Sequence, residues 1–166
     1  MGTTFHDHVE RLLGELVRQA HAVYGDRLVS LVVFGSVGRG TPRHDSDLDV
    51  LIVADHLPDG RMARVQEFDV IEKALLPIVG DGRREGFFTE ASPVFKTPAE
   101  MRAGSPLLLD MVDDARILFD REGYFAGAMT RLRGRLASLG ARRVWRGNAW
   151  FWDLKPDYQP GDVFEL

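Results

Sequence analysis

The residues of this sequence that are best suited to chemistry lie in one short segment. A glycine-rich stretch directly follows an apolar run. Two aspartates with one residue between them stand at the start of a second apolar run. The segment consists of Phe34-Gly35-Ser36-Val37-Gly38-Arg39-Gly40, then four intervening residues, then Asp45-Ser46-Asp47-Leu48-Asp49. It joins a candidate anion site to a candidate cation site.

The glycine-rich stretch is suited to hold a phosphate. Gly35, Gly38 and Gly40 would let backbone N–H groups approach an anion without obstruction by a Cβ atom. Ser36 adds a hydroxyl donor, and Arg39 could reach a phosphate from between two of the glycines. A helix that begins within the stretch would direct its positive end to the same place. The glycine spacing matches neither the Walker loop nor the dinucleotide fingerprint. A plain turn with an exposed arginine is the alternative.

The two aspartates are suited to hold a divalent metal ion. Asp47 and Asp49 lie two residues apart at the start of an apolar run that is typical of a strand, so their side chains would leave the same face, with Cα atoms ~7 Å apart. Hard oxygen ligands favour Mg²⁺ or Mn²⁺, and Mg²⁺ commonly takes one or two carboxylates plus substrate phosphates. An isolated pair of this kind is more often a solvated loop end. The phosphate cradle one strand earlier favours the metal site.

The order of these residues resembles a known family. Gly35-Ser36, ten further residues and then Asp47-Leu48-Asp49 entering an apolar strand are similar to the signature of the DNA polymerase beta nucleotidyltransferase superfamily, particularly its small stand-alone prokaryotic members. Three other segments also resemble those members, namely residues 105–113, residues 117–120 and the aromatic tail at residues 145–158.

This resemblance implies a fold, a reaction and a set of site residues. The fold is an α+β nucleotidyltransferase fold, a mixed sheet flanked by helices. The reaction is transfer of a nucleoside monophosphate, most often AMP from ATP, to a hydroxyl with release of pyrophosphate, using Mg²⁺ or Mn²⁺. Asp47 and Asp49 match the paired metal ligands of the family, which usually takes a third carboxylate from the next core strand. Glu90 is the only acid in the predicted strand at residues 87–95, so it is the candidate.

The sequence departs from the family at that third carboxylate. Active members usually carry an aspartate followed by apolar residues, whereas this chain has Thr89-Glu90-Ala91-Ser92-Pro93. A nucleotide sensor without catalytic activity is therefore an alternative to an enzyme. Another alternative is an antitoxin-like module that neutralises a small partner toxin, a role that is compatible with enzymatic modification of that partner.

Hydrophobic periodicity predicts how the site is supported. Apolar residues at helical spacing predict a helix over residues 4–23, and continuous valine-rich runs predict buried strands over 28–34 and 48–53. Further along the chain, the same patterns and capping signals predict a helix over 62–78, a strand over 87–95 with Pro93 at an edge or end, a capping box at Thr97, a short helix from Ser105, a strand over 116–119 and a helix over 122–139.

Length predicts a single domain, and the resemblance implies that residues 1–143 form a nucleotidyltransferase domain with the tail at 144–166 packed on it. The tail carries three tryptophans, which could stack on bases but more commonly pin a chain end to a core. A basic run ahead of it could bind an RNA acceptor or form a solvated helix face, and consists of Arg131, Arg133, Arg135, Arg142, Arg143 and Arg146.

Composition excludes several classes of function. The net charge is −4, which argues against a surface that is basic throughout, and bulk charge identifies no partner. The chain has no cysteine, so disulfides, thiolate zinc sites and cysteine nucleophiles are excluded. Residues 1–9 do not read as a secretory signal, and no apolar run is long enough to span a membrane. We expect a cytoplasmic protein whose partners are a nucleoside triphosphate and either a small partner protein or an RNA.

Overall fold

The computed structural model describes residues 4–147 and 149–166. The expectation that residues 1–9 are not a secretory signal rests partly on residues 1–3, which lie outside the described residues. Within the described residues, no helix is long and apolar enough to cross a membrane.

The described part of the chain alternates helices and strands before it ends in a hairpin. Its elements in order are α1 (Phe5–Tyr24), β1 (Leu28–Val33), α2 (Gly35–Gly38), β2 (Leu48–Ala54), α3 (Arg61–Arg84), β3 (Ala91–Lys96), α4 (Pro98–Arg102), β4 (Arg116–Asp120), α5 (Tyr124–Ser138), β5 (Arg142–Arg146) and β6 (Ala149–Asp153). Short 3₁₀ turns at Gly25–Arg27, Pro106–Asp110 and Arg121–Gly123 connect some of them.

The main sheet has four strands in the order β3-β2-β1-β4. Strand β1 is antiparallel to both β2 and β4, while β3 is parallel to β2, so the sheet is mixed, as predicted. Strand β3 lies at the edge of the sheet. Pro93 has no N–H to donate, and at an edge position this does not remove a hydrogen bond from the middle of the sheet. The prediction that Pro93 belongs to an edge strand is confirmed.

Helices cover both faces of the sheet. Strand β1 is buried along its whole length, as its continuous apolar run predicts. One face packs against α1 and α3, and its buried strand residues include Leu31, Val33, Val50 and Ile52. The other face packs against α4, α5 and the Pro106–Asp110 turn, and its buried strand residues include Val29, Val32, Leu51 and Val53. The two cores hold β1 and β2 in fixed register, which is what a site at their ends requires.

Capping contacts fix where the flanking helices begin. Thr97 and Glu100 form the predicted capping box at the start of α4. The carboxylate of Asp120, at the end of β4, accepts hydrogen bonds from the backbone N–H groups of Phe125 and Ala126 and from the hydroxyl of Ser30. Asp120 therefore joins the start of α5 to the centre of the sheet.

Three boundary predictions need correction. The strand predicted over 87–95 begins only at Ala91, because Phe87 turns away to pack with Phe5 and His44. The helix predicted from residue 122 begins at Tyr124, because Glu122 has a positive φ of 53° and Gly123 one of 66°. The tail was given no helix or strand from the sequence, and in the structure β5 and β6 pair as an antiparallel hairpin there. The domain boundary predicted at residue 143 lies inside β5 and stays a prediction.

Candidate active site at the ends of β1 and β2

The candidate site lies where β1 ends and β2 begins. The strands are antiparallel, with Val33 opposite Val50, so the residues after β1 come to lie beside the residues before β2. The backbone N–H of Phe34 donates to the carbonyl of Asp49 at 3.0 Å. This pairing places the glycine-rich turn directly against the two aspartates, although eleven residues lie between Gly35 and Asp47 along the chain.

Gly35 and Asp49 are in direct contact. A Cβ atom built on Gly35 would lie less than 3.0 Å from Oδ2 of Asp49, and Gly35 also has a φ of +65°. Both the backbone conformation and the close approach therefore require glycine. The candidate phosphate cradle and the candidate metal ligand are thus adjacent, which the sequence pattern predicted only in outline.

The turn after β1 is the short helix α2. The N–H groups of Gly38 and Arg39 donate to the carbonyls of Phe34 and Gly35, at 3.2 and 3.1 Å. The N–H groups that come first in such a turn, beginning with that of Gly35, have no acceptor inside it, so they can donate to an anion. Ser36 is half-buried beside them.

The other two glycines of the stretch have different surroundings. A Cβ on Gly38 would collide with the backbone carbonyls of Asp114 and Val33, so Gly38 has a packing function. Gly40 has a φ of +74° but faces open space. Their predicted contacts with phosphate stay predictions.

The two aspartates form an unneutralised pair. Asp47 is exposed and Asp49 is half-buried, and within the described chain neither carboxylate has a hydrogen bond or a salt bridge. Burial raises the pKa of the Asp49 carboxyl above its usual range, and the charge on Asp47 raises it further, while Arg39 opposes the shift. Two neighbouring carboxylates with free oxygens suit a hard divalent cation, so these residues fit Mg²⁺ or Mn²⁺.

Glu90 does not complete a three-carboxylate set. Its exposed side chain forms a salt bridge with Arg83 of α3. Strand register places Ser92 of β3 opposite Asp49, so the nearest β3 neighbour of that ligand is not an acid. Among the described residues, no group of three or more His, Cys, Asp or Glu side chains could hold a metal ion. The role predicted for Glu90 stays a prediction, and it requires release from Arg83.

Arg39 connects the site to a cluster of charged residues whose contacts the sequence did not predict. Its guanidinium lies 3.6 Å from Oδ2 of Asp114, and the same oxygen lies 2.6 Å from the guanidinium of Arg143 in β5. Asp110 is close by, and burial raises the pKa of its carboxyl while Arg143 and Arg39 lower it. No spacing rule connects residues 110 and 114 with residue 143, so the local sequence gave no signal for this cluster.

The segment between the cradle and Asp47 is held by an aromatic cluster. The ring of His44 lies 5.1 Å from that of Phe5 and 5.3 Å from that of Phe87. Its backbone carbonyl accepts a hydrogen bond of 2.7 Å from the N–H of Phe88. His44 therefore anchors the loop from which Asp47 projects.

Comparison with known proteins agrees with this geometry. Residues 13–83 match the family model of nucleotidyltransferase domains, and this range contains Gly35, Ser36, Asp47 and Asp49. Over this range the chain is similar to nucleotidyltransferase domains. A relative from Methanocaldococcus jannaschii, named a putative protein adenylyltransferase, is 28% identical over 127 residues, which cover 75% of this chain and 81% of the relative.

Solved structures share the fold of this chain. A toxin-antitoxin crystal structure with AMP-PNP has a TM-score of 0.50 and 17% identity, over 77% of this chain and 92% of that chain. Spectinomycin adenyltransferase from Enterococcus faecialis, solved with ATP and spectinomycin, has a TM-score of 0.50 and 13% identity, over 79% of this chain and 66% of that chain. The prediction of a nucleotidyltransferase fold with a mixed sheet flanked by helices is confirmed.

Gly35→Ala is expected to abolish binding of a nucleoside triphosphate, because the new methyl group would displace the Asp49 carboxylate from the cradle. Gly104→Ala is a matched control, since Gly104 lies outside the cradle, has a φ of +77° and faces open space, so the variant imposes a similar positive-φ strain of about 1–2 kcal/mol. Calorimetric titration with Mg²⁺-ATP should show binding to Gly104→Ala and none to Gly35→Ala. Equal affinities in the two variants would contradict the close packing of Gly35 and Asp49.

Asp49→Asn is expected to raise the melting temperature of the ligand-free protein by a few degrees near neutral pH. A carboxyl whose pKa is raised by folding loses stability as the pH rises from the unfolded pKa through the folded one. The advantage of the variant should therefore be full at about pH 7 and shrink toward about pH 4. Scanning calorimetry measures it, with Asp45→Asn, an exposed acid of the same loop, as control. A lower melting temperature for Asp49→Asn at neutral pH would show that this carboxylate stabilises the fold.

Proposed function

We propose that this protein is a nucleotidyltransferase that transfers AMP from ATP to a hydroxyl group, with Mg²⁺ or Mn²⁺ held by Asp47 and Asp49. The observation that carries the proposal is the contact between the Gly35 turn and the free carboxylate of Asp49. An anion cradle beside two unneutralised carboxylates is unfavourable for a purely structural site. It suits a polyphosphate that brings a divalent cation with it.

The reaction follows from this placement. The N–H groups at the start of α2 and the hydroxyl of Ser36 bind phosphate oxygens, and Arg39 lies beside them to contact the same anion. The acceptor oxygen forms a bond to the α-phosphorus, the bond from that phosphorus to the bridging oxygen breaks, and pyrophosphate leaves. The hydroxyl proton goes to a nearby carboxylate. When bound, the metal ion supplies charge stabilisation for the phosphoryl oxygens.

Asp49 and Glu90 are the candidates for handling that proton. Burial raises the pKa of the Asp49 carboxyl, which favours uptake of a proton, but a bound cation would lower this pKa again. Glu90 is free for this role only after its salt bridge with Arg83 opens. We therefore propose Asp47 and Asp49 as metal ligands, and Glu90 as the carboxylate whose release completes the site.

A protein is the favoured acceptor. The Methanocaldococcus relative is named as a protein adenylyltransferase, which supports a side-chain hydroxyl of a partner protein. The toxin-antitoxin neighbours are compatible with a small partner, so an antitoxin-like role that acts by modifying this partner is our second candidate.

An RNA acceptor is disfavoured by the pairing of the basic run. Arg133, Arg142 and Arg143 lie within 4 Å of acids of the chain itself, and Arg135 donates to the carbonyl of Glu165. Much of the positive charge that a nucleic acid backbone would need is therefore already neutralised. We place the reaction in the cytoplasm, where ATP and Mg²⁺ are abundant.

Mg²⁺-ATP is expected to raise the melting temperature of the wild-type protein by roughly 5 to 10 °C at a concentration one hundred times the dissociation constant. Asp47→Asn with Asp49→Asn should lose this shift, since the cation would have no carboxylate ligands. Asp45→Asn is the matched control, because Asp45 is an exposed acid of the same loop. No shift with any nucleoside triphosphate would overturn the proposal.

The same proteins, incubated with ATP labelled at the α-phosphate and with candidate acceptor proteins, distinguish an enzyme from a sensor. Transfer of label by wild type but not by Glu90→Gln, with ATP binding intact in both, is the result expected of an enzyme that uses Glu90. Binding without transfer to any acceptor would favour the nucleotide sensor.

A further inference from the structure

One face of the β5–β6 hairpin carries Arg143 and all three tryptophans. Register places Trp145 opposite Trp150 and Arg143 opposite Trp152, and side chains two residues apart share a face, so these four lie on the same side of the hairpin. The indole N–H of Trp152 donates to the carbonyl of Leu109 at 3.2 Å. The Trp152 ring packs against the core on the sheet face that α4 and α5 cover. This contact turns the four-residue face, which we call the tryptophan face, toward the body of the protein.

The tryptophan face is joined to the site by ion pairs. The guanidinium carbon of Arg143 lies 3.8 Å from the ring centroid of Trp150 and 5.2 Å from that of Trp145. The same guanidinium binds Asp114, which also binds Arg39 of the cradle. Asp114 is only 13% exposed, so this bridge is largely shielded from solvent screening.

Trp145 is the exposed member of this face. It is 58% exposed although it adjoins a half-buried arginine, whereas Trp150 and Trp152 are partly covered. We propose that Trp145 provides the surface on which the base of the bound nucleoside triphosphate stacks. The inference rests on the function proposed above and adds the place of the base. Arg143 and Trp150 position the Trp145 ring through the guanidinium that lies between them.

Stacking on Trp145 has a consequence for specificity. Every nucleobase has a π-face, so an aromatic surface binds bases with little regard to their hydrogen-bonding edges. We expect ATP and GTP to bind with similar affinity, and tripolyphosphate, which has no base, to bind independently of Trp145. A partner protein is the other natural occupant of an exposed tryptophan.

Intrinsic fluorescence tests the proposal directly, because all three tryptophans of the chain lie in the hairpin. Titration with Mg²⁺-ATP should quench the fluorescence, while Mg²⁺-tripolyphosphate should bind in calorimetry without quenching. Trp145→Leu should lower the affinity for ATP by about tenfold or more and leave the affinity for tripolyphosphate unchanged. Trp145→Phe keeps an aromatic π-face and should lose less ATP affinity than Trp145→Leu. Phe151→Leu, an exposed aromatic on the opposite face, is the control and should match wild type.

The outcomes separate this inference from the proposed function. Unchanged ATP affinity in Trp145→Leu would overturn the stacking role while the site itself stands, and would leave the tryptophan for a partner protein. If neither ATP nor tripolyphosphate binds wild type, the proposed function fails and the stacking role fails with it. Equal weakening of ATP and tripolyphosphate in Trp145→Leu would also overturn the inference, since it would show general disruption of the site.

Discussion

The site depends on the contact between the carboxylate of Asp49 and the backbone of Gly35. Pairing of β1 with β2 brings them together, and the hydrogen bond from Phe34 to the carbonyl of Asp49 fixes the distance. The arrangement is unfavourable in the free protein, because a half-buried carboxylate lies beside a second carboxylate and has a raised pKa. A divalent cation with a polyphosphate would remove the repulsion and fill the cradle. The two neighbouring carboxylates therefore destabilise the free protein locally and, for the same reason, favour binding of the cation.

The rest of the structure holds this contact in place. Cores on both faces of the sheet prevent β1 and β2 from slipping, since a shift of one residue would turn their side chains to the wrong face. The aromatic contacts of His44 anchor the loop that carries Asp47. On the other side, Asp114 binds Arg39 and Arg143 together, so the cradle, the segment before β4 and the hairpin act as one charged unit.

Local pattern made the central features predictable. The buried strands, α1, the capping box at Thr97 and the Gly35-Asp49 constellation each depend on residues close in sequence, where periodicity and spacing carry the information. The salt bridge between Arg143 and Asp114 spans 29 residues, and nothing at either end indicates its partner. The hairpin was missed for a similar reason, since β5 carries three arginines in five residues and has no alternating apolar pattern. Glu90 was assigned by strand order, while its actual contact with Arg83 depends on how the chain turns between the end of α3 and the start of β3.

The most direct test of the central claim is a crystal structure with Mn²⁺ and a nonhydrolysable ATP analogue, in which anomalous scattering locates the metal. The account predicts a manganese peak within coordinating distance of both Asp47 and Asp49, with phosphate oxygens at the N–H groups of the Gly35 turn. A nucleotide bound elsewhere, or a metal ion that contacts neither aspartate, would contradict it.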